Sequence, residues 1–145
     1  PVLDRNKYAS AEGVSKGAYV LLDTAKDFSV VLIATGSEVA LAIKAQDKLL
    51  SEGINSRVVS APSLEWFAEQ DENYRESVIP KKIKARVSIE AGIAMPWHRL
   101  IGDAGVAVSL EHFGASASAN TLFHEFGFNV ENVVKAAKES IANSK

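Results

Sequence analysis

A chain of 145 residues, 47% of them hydrophobic, is one domain's worth of sequence with enough apolar material for a sizeable core. Sixteen basic residues against 18 acidic ones leave a net charge of −2, which argues against a nucleic-acid module and its basic stripe. There is no cysteine, so no disulfide and no thiolate metal site, and no apolar run approaches the roughly 20 residues of a bilayer span. The chain opens on Pro1 with no signal-peptide core and reads as the continuation of an upstream segment. Lack of cysteine fits a cytosolic protein.

Residues 1–16 show no sustained period and read as an extended arm or linker. Residues 17–23 (GAYVLLD) predict a strand, and a few polar residues separate it from Phe28–Ala34. That short gap permits a hairpin, so the two strands are expected to pair antiparallel. The run Val30–Ala34 is continuous, apolar and β-branched, as in a strand buried on both faces. Thr35-Gly36-Ser37-Glu38 then turns the chain into a helix over 38–52, with Val39, Ala42, Ile43, Leu49 and Leu50 on its apolar face and Gly53 after it. Asn55–Ala61 is the next strand, closing a right-handed β-α-β crossover.

Ser63 is placed to cap a short helix over 64–69, and Asp71–Val78 suggests another. Pro80-Lys81-Lys82 is a solvated breaker before a strand at Ala85–Ile89, which delivers Glu90 to its carboxyl end. Pro96 suits the first turn of a helix covering Trp97–Ile101. Gly105–Leu110 is the fifth strand, His112–Ser116 a loop, and Ser118–Phe126 a helix stopped by Gly127. Asn129 caps a last helix with Val130, Val133, Val134, Ala137 and Ile141 as its buried stripe. The sum is an α/β fold: a three-layer α/β/α arrangement around a five-stranded mixed sheet, its first strand antiparallel to the others.

Candidate chemistry centres on four residues. Backbone N–H groups of Gly36, Ser37 and Glu38 sit where a helix N-terminus holds a phosphate or carboxylate. Against this, Thr35 and Glu38 suit a capping box, or Ser37 alone a cap, and the Glu38 carboxylate already complements the helix dipole. The turn therefore reads chiefly as a helix start at the mouth of a cleft. Glu90 lies where α/β sheets bind ligands, but no neighbour in sequence completes a catalytic pair. His112, in a loop after a strand, is the histidine best placed to meet a ligand or partner. His98, His112 and His124 show no H-x-x-x-H spacing, so no metal site is expected. The dinucleotide, nucleoside-triphosphate and G-x-S-x-G fingerprints are all missing from the chain. Trp66-Phe67 and Met95-Pro96-Trp97 read as core or as surfaces meeting another domain.

In order, GAYVL, VLIATGSEVALAI, RVVSAPS, DENYRESVIP, IEAGIA, HFGASA and LFHEFGFNVENVV resemble the C-terminal domain of transketolases. The resemblance spans about residues 1–143, and PVLD resembles the end of the preceding pyrimidine-binding domain. It implies a domain boundary near residue 17. It implies a cytosolic, homodimeric parent of the pentose phosphate pathway that moves a two-carbon ketol unit between sugar phosphates. Thiamine diphosphate and a divalent cation, Mg²⁺ or Ca²⁺, would be held by other domains. Gly102-Asp103-Ala104 mimics part of the family's diphosphate motif, but its third position is Ala and the downstream asparagines are separated, so it is not that motif. Nor is Glu90 the family's cofactor-activating glutamate.

On this resemblance the segment has no catalytic or cofactor-binding residues. It serves structure and dimerisation, with a regulatory cleft at Gly36, Ser37, Glu90 and His112. Its partners are the upstream domains and a second transketolase subunit, with no nucleic acid and no membrane. Other thiamine enzymes share this domain type, among them 1-deoxyxylulose-5-phosphate synthase and the 2-oxoacid dehydrogenases. An anion-binding regulatory module is the other alternative.

Overall fold

Alternation along the strands decides the layers. In β2 (Val30–Ala34) every residue is buried, yet the side chains divide. Val30, Leu32 and Ala34 enter one core cluster, and Val31 and Ile33 enter the other. The first cluster is covered by α1 (Glu38–Ser51) and α5 (Val130–Asn143). The second is covered by α2 (Leu64–Ala68), α3 (Glu72–Val78) and α4 (Met95–Ile101), with Trp97 and Phe67 in its centre. A strand with two apolar faces needs a layer on each side, and the result is an α/β/α sandwich. The structure, a computed structural model, describes residues 11–91, 95–109 and 128–145.

The sheet has five strands in the order β1-β3-β2-β4-β5, where β1 is Tyr19–Asp23, β3 Ser56–Ser60, β4 Arg86–Glu90 and β5 Val106–Ser109. Strands β2 to β5 run parallel and β1 runs antiparallel at the edge. The expected hairpin between β1 and β2 does not form, because β3 lies between them and β1 pairs with β3 (Tyr19↔Ser60, Asp23↔Arg57). The polar link after β1 spans the amino end of β3 instead of turning tightly. The Thr24 N–H donates to the Ser56 carbonyl at 3.1 Å, and the Ser29 N–H to that of Asn55 at 2.9 Å. Gln46 of α1 reinforces the pairing, its Nε2 donating to the carbonyls of Leu22 and Ser56 at 3.0 Å each.

Local signals fix most helix starts. Ser63 Oγ accepts from the Trp66 N–H, Asp71 Oδ1 from that of Tyr74, and Asn129 Oδ1 from that of Asn132. In α5, Val133, Val134 and Ala137 are buried, with Val130 and Ile141 packed at the margin of the same core. In α1 the apolar face is narrower than expected: Leu50 is 47% exposed. Leu49 follows Ala42 and Gln46 at helical spacing, while Leu50 lies a further 100° around the axis, past the contact with the sheet.

Residues 11–16 form a 3₁₀ helix rather than an extended arm. Gly17 ends it with φ +85°, and a Cβ there would lie 2.3 Å from both the Phe67 nitrogen and the Ser63 oxygen. Only glycine lets the chain pass this close to the start of α2. The Ser63 N–H donates to the Gly17 carbonyl at 2.9 Å, and Tyr74 Oη donates to the Ala18 carbonyl at 2.7 Å. Among the described residues, no helix is long and apolar enough to cross a membrane.

Candidate functional site

The chain leaves β2 through α1 toward β3 on one side, and leaves β4 through α4 toward β5 on the other. The carboxyl ends of β2 and β4 therefore flank the switch point at which open α/β sheets bind ligands. Ala34 is level with Ile89, so Thr35-Gly36-Ser37 and Glu90 emerge side by side. Gly36 (φ +60°) makes the turn, which a side chain would strain. Of the four expected site residues, Gly36, Ser37 and Glu90 share this crevice. His112 lies outside the described residues, as do the loop 112–116, the helix expected over 118–126 and His124.

The start of α1 differs from both expected caps. Ser37 is itself helical (φ −67°, ψ −18°) and makes no side-chain cap bond. Its hydroxyl turns instead toward Glu38 Oε1 at 3.4 Å. The first turn is closed by backbone alone, with the Glu38 N–H donating to the Thr35 carbonyl at 3.2 Å and the Val39 N–H to that of Gly36 at 3.3 Å. No capping box forms either. A cap residue must be extended to present its oxygen, and the turn at Gly36 puts Ser37 one step inside the helix.

Glu38, expected as a capping-box member and a partner of the helix dipole, contributes more than that to the site. It is 6% exposed, and burial pushes its carboxyl above the ordinary glutamate range. Glu90 is raised too, first by burial and then by the charge of Glu38. The crevice is thus a pair of desolvated, mutually repelling carboxylates beside a helix N-terminus. It favours protons, hydroxyl groups and cations over anions. The signal was present in the sequence as Glu38, but its partner lies 52 positions away and only the sheet register joins them. Among the described residues, no group of three or more histidine, aspartate or glutamate side chains could hold a metal ion. His98 is exposed on α4.

Residues 17–129 match the family profile described as the transketolase-like C-terminal domain. The chain belongs to the transketolase C-terminal domain family. The transketolase of Mycobacterium leprae is 50% identical over 147 residues, covering 99% of this chain and 21% of the relative. Transketolase 1 of Escherichia coli is 48% identical over 145 residues, covering 95% of this chain and 22% of the relative. The solved transketolase of Leishmania mexicana superposes with a TM-score of 0.83 at 39% identity, over 92% of this chain and 19% of that one. The chain therefore spans about a fifth of the length of the transketolases it matches. Family membership accounts for the antiparallel edge strand and the three layers.

Proposed function

We propose that this chain acts as the third domain of a transketolase whose other domains carry the ketol-transfer chemistry. The observation that carries this reading is coverage: nearly all of this chain aligns with about one fifth of whole transketolases. Residues 1–16 would then be the tail of the preceding pyrimidine-binding domain, with this domain beginning at residue 17. The parent would be a cytosolic homodimer of the pentose phosphate pathway that uses thiamine diphosphate and Mg²⁺ or Ca²⁺.

The described residues do not fit that cofactor. Among the described residues, the turn at the start of α1 on the carboxyl side of the sheet presents Glu38 and Glu90, whose charges oppose a diphosphate. The domain's own task would be to pack against the upstream domains and the second subunit. Trp66, 51% exposed on α2 beside the entry of the chain at Gly17, suits such a contact.

The test is an assay of this chain with pentose phosphates, thiamine diphosphate and Mg²⁺, in which no ketol transfer is expected. Adding it to a transketolase truncated before its own third domain should restore activity, and Trp66→Asp should weaken that restoration. Turnover by the chain alone would overturn the reading.

A regulatory role remains attached to Gly36, Ser37, Glu90 and His112. The charge of the crevice favours an effector bearing hydroxyls or a cation over a phosphate. Amide NMR shifts confined to residues 35–38 and 90–91 on adding a polyol or an amine would support it.

A further inference from the structure

Two arginines near the amino ends of β3 and β4, level with Val31 of the β2 strand between them, perform the same structural task. Arg57 of β3 donates from Nη1 to the carbonyls of Ser77 and Val78 at the end of α3, at 2.7 and 3.0 Å. Arg86 of β4 donates from Nη1 to the Leu100 carbonyl at the end of α4, at 2.8 Å. It also donates from Nε to Ile83 at 2.9 Å and from Nη2 to Pro80 at 3.1 Å. Each ties the carboxyl end of a helix to the amino end of the sheet, where a cation complements the helix dipole.

They differ in their counter-charge. Arg57 is held by both oxygens of Asp23, at 2.8 and 3.0 Å. Arg86 has no carboxylate within salt-bridge distance among the described residues; burial disfavours its charged form, and the more distant Glu76 charge offsets that only in part. Its three bonds to carbonyls use one hydrogen on each nitrogen. One N–H on Nη1 and one on Nη2 are left, the fork that guanidinium offers to an oxyanion.

That guanidinium borders a cavity of about 260 Å³ between α3 and α4. Arg75, Lys81 and Arg99 line the same cavity, facing Glu72 and Glu76. Lys81 is spoken for by Glu72 at 2.7 Å, and Glu76 accepts the Lys81 backbone N–H. Arg75, Arg86 and Arg99 have no ion-pair partner among the described residues. A larger cavity of about 390 Å³ shares Arg86 but has only Lys84 as a second cation, with Asp103 also in its lining.

We propose that the cavity between α3, α4 and the amino end of β4 binds a phosphoryl group, free or as a phosphomonoester, through Arg75, Arg86 and Arg99. Three arginines line a space large enough for a tetrahedral oxyanion, and the half-buried one lacks the direct ion pair that Arg57 makes with Asp23. The site is at the opposite end of the sheet from the Glu38–Glu90 crevice and is independent of the transketolase reading.

The test is NMR titration of this chain, labelled with ¹⁵N, with inorganic phosphate at constant ionic strength set by chloride. Saturable shifts are expected at the Nε–H groups of Arg75, Arg86 and Arg99 and at the amides of residues 99–101. The exposed pair Arg75→Ala and Arg99→Ala should weaken binding at least about tenfold, with spectra elsewhere unchanged, and Arg99→Lys should recover part of it. Glycerol phosphate, tested beside phosphate and glycerol, separates the sources. Tighter binding than phosphate identifies a phosphomonoester, equal binding identifies the phosphoryl group alone, and glycerol should not bind. Linear shifts matching those of chloride, or undiminished affinity in the double variant, would overturn the proposal.

Discussion

Among the described residues, the two ends of the parallel strands gather different charged groups. At the carboxyl end, Glu38 and Glu90 are desolvated next to each other. At the amino end, Arg57 and Arg86 reach across to helix ends, and Arg75 and Arg99 stand beside them. Open α/β sheets commonly take ligands at the carboxyl end, where helix N-termini gather. Here the described carboxylates at that end oppose an anion, and arginines line a cavity at the other. Topology nominates a crevice, but the side chains placed in it decide what it can hold.

The amino end breaks most readily. Arg57→Ala strands the Asp23 carboxylate and two helix-end carbonyls, and Arg86→Ala removes the donor to the Leu100 and Ile83 carbonyls, while that of Pro80 keeps the Ile83 N–H. Each should cost roughly 2–4 kcal/mol in urea unfolding, since bonds to charged groups are the stronger ones. A loss below about 0.5 kcal/mol for Arg86 would mean water replaces it freely.

The carboxyl end should respond in the opposite direction. Both glutamates have raised pKa values in the fold, so their ionised forms weigh against it. Their contribution is favourable below the ordinary glutamate value of 4.5 and is lost as pH rises through the higher folded values. Glu38→Gln should therefore raise Tm at neutral pH and make little difference at pH below that ordinary value. Carboxyl-detected NMR titration of the same variant should show Glu90 titrating lower than in the parent chain, because one of its two causes is gone. An unchanged Glu90 would mean that burial alone sets it.

Caps give the smallest effects and test the start of α1 against the other helices. Ser63→Ala and Asn129→Ala should each cost about 1 kcal/mol, the usual worth of a side-chain cap. Ser37→Ala should fall within about 0.5 kcal/mol of neutral, as for a surface change that removes no cap. Thermal unfolding of the three variants side by side would show whether Ser37 is as idle as its geometry indicates.

Those three helices also show where a sequence is readable. Ser63 and Asn129 act within three residues of themselves, so their caps are visible in the string, and Asp71, expected only as the first residue of its helix, caps α3 in the same local way. The β2-α1-β3 unit and the parallel strands follow from short apolar runs between breakers for the same reason. Ser37 looked like a fourth cap, and the backbone at Gly36 moved it one step into the helix. The partner of β1 was not legible either. A link of that length serves a hairpin or a span across one strand, and Thr24, Gln46 and Arg57 decide the matter through contacts far along the chain. Gly36, Ser37 and Glu90 could be placed at strand ends from the sequence, since each closely follows an apolar run. The repulsion between Glu38 and Glu90 needed the register of β2 on β4. The basic cavity needed three elements together, since Arg75, Arg86 and Arg99 are neighbours only after α3 and α4 have docked on the sheet.

The edge strand carries a consequence for the order of assembly. Tyr19 waits for Ser60, so β1 has no partner until α1 and β3 have been made and placed. On a ribosome it emerges first among the strands and joins after its successors. Until it does, the outer edge of β3 is an open row of donors and acceptors, exposed to any other nascent chain. The bonds from Gln46 and Thr24 close that edge once the segment arrives. A stall in synthesis within α1 would thus leave β1 idle, while a stall after β3 would let the sheet seal itself.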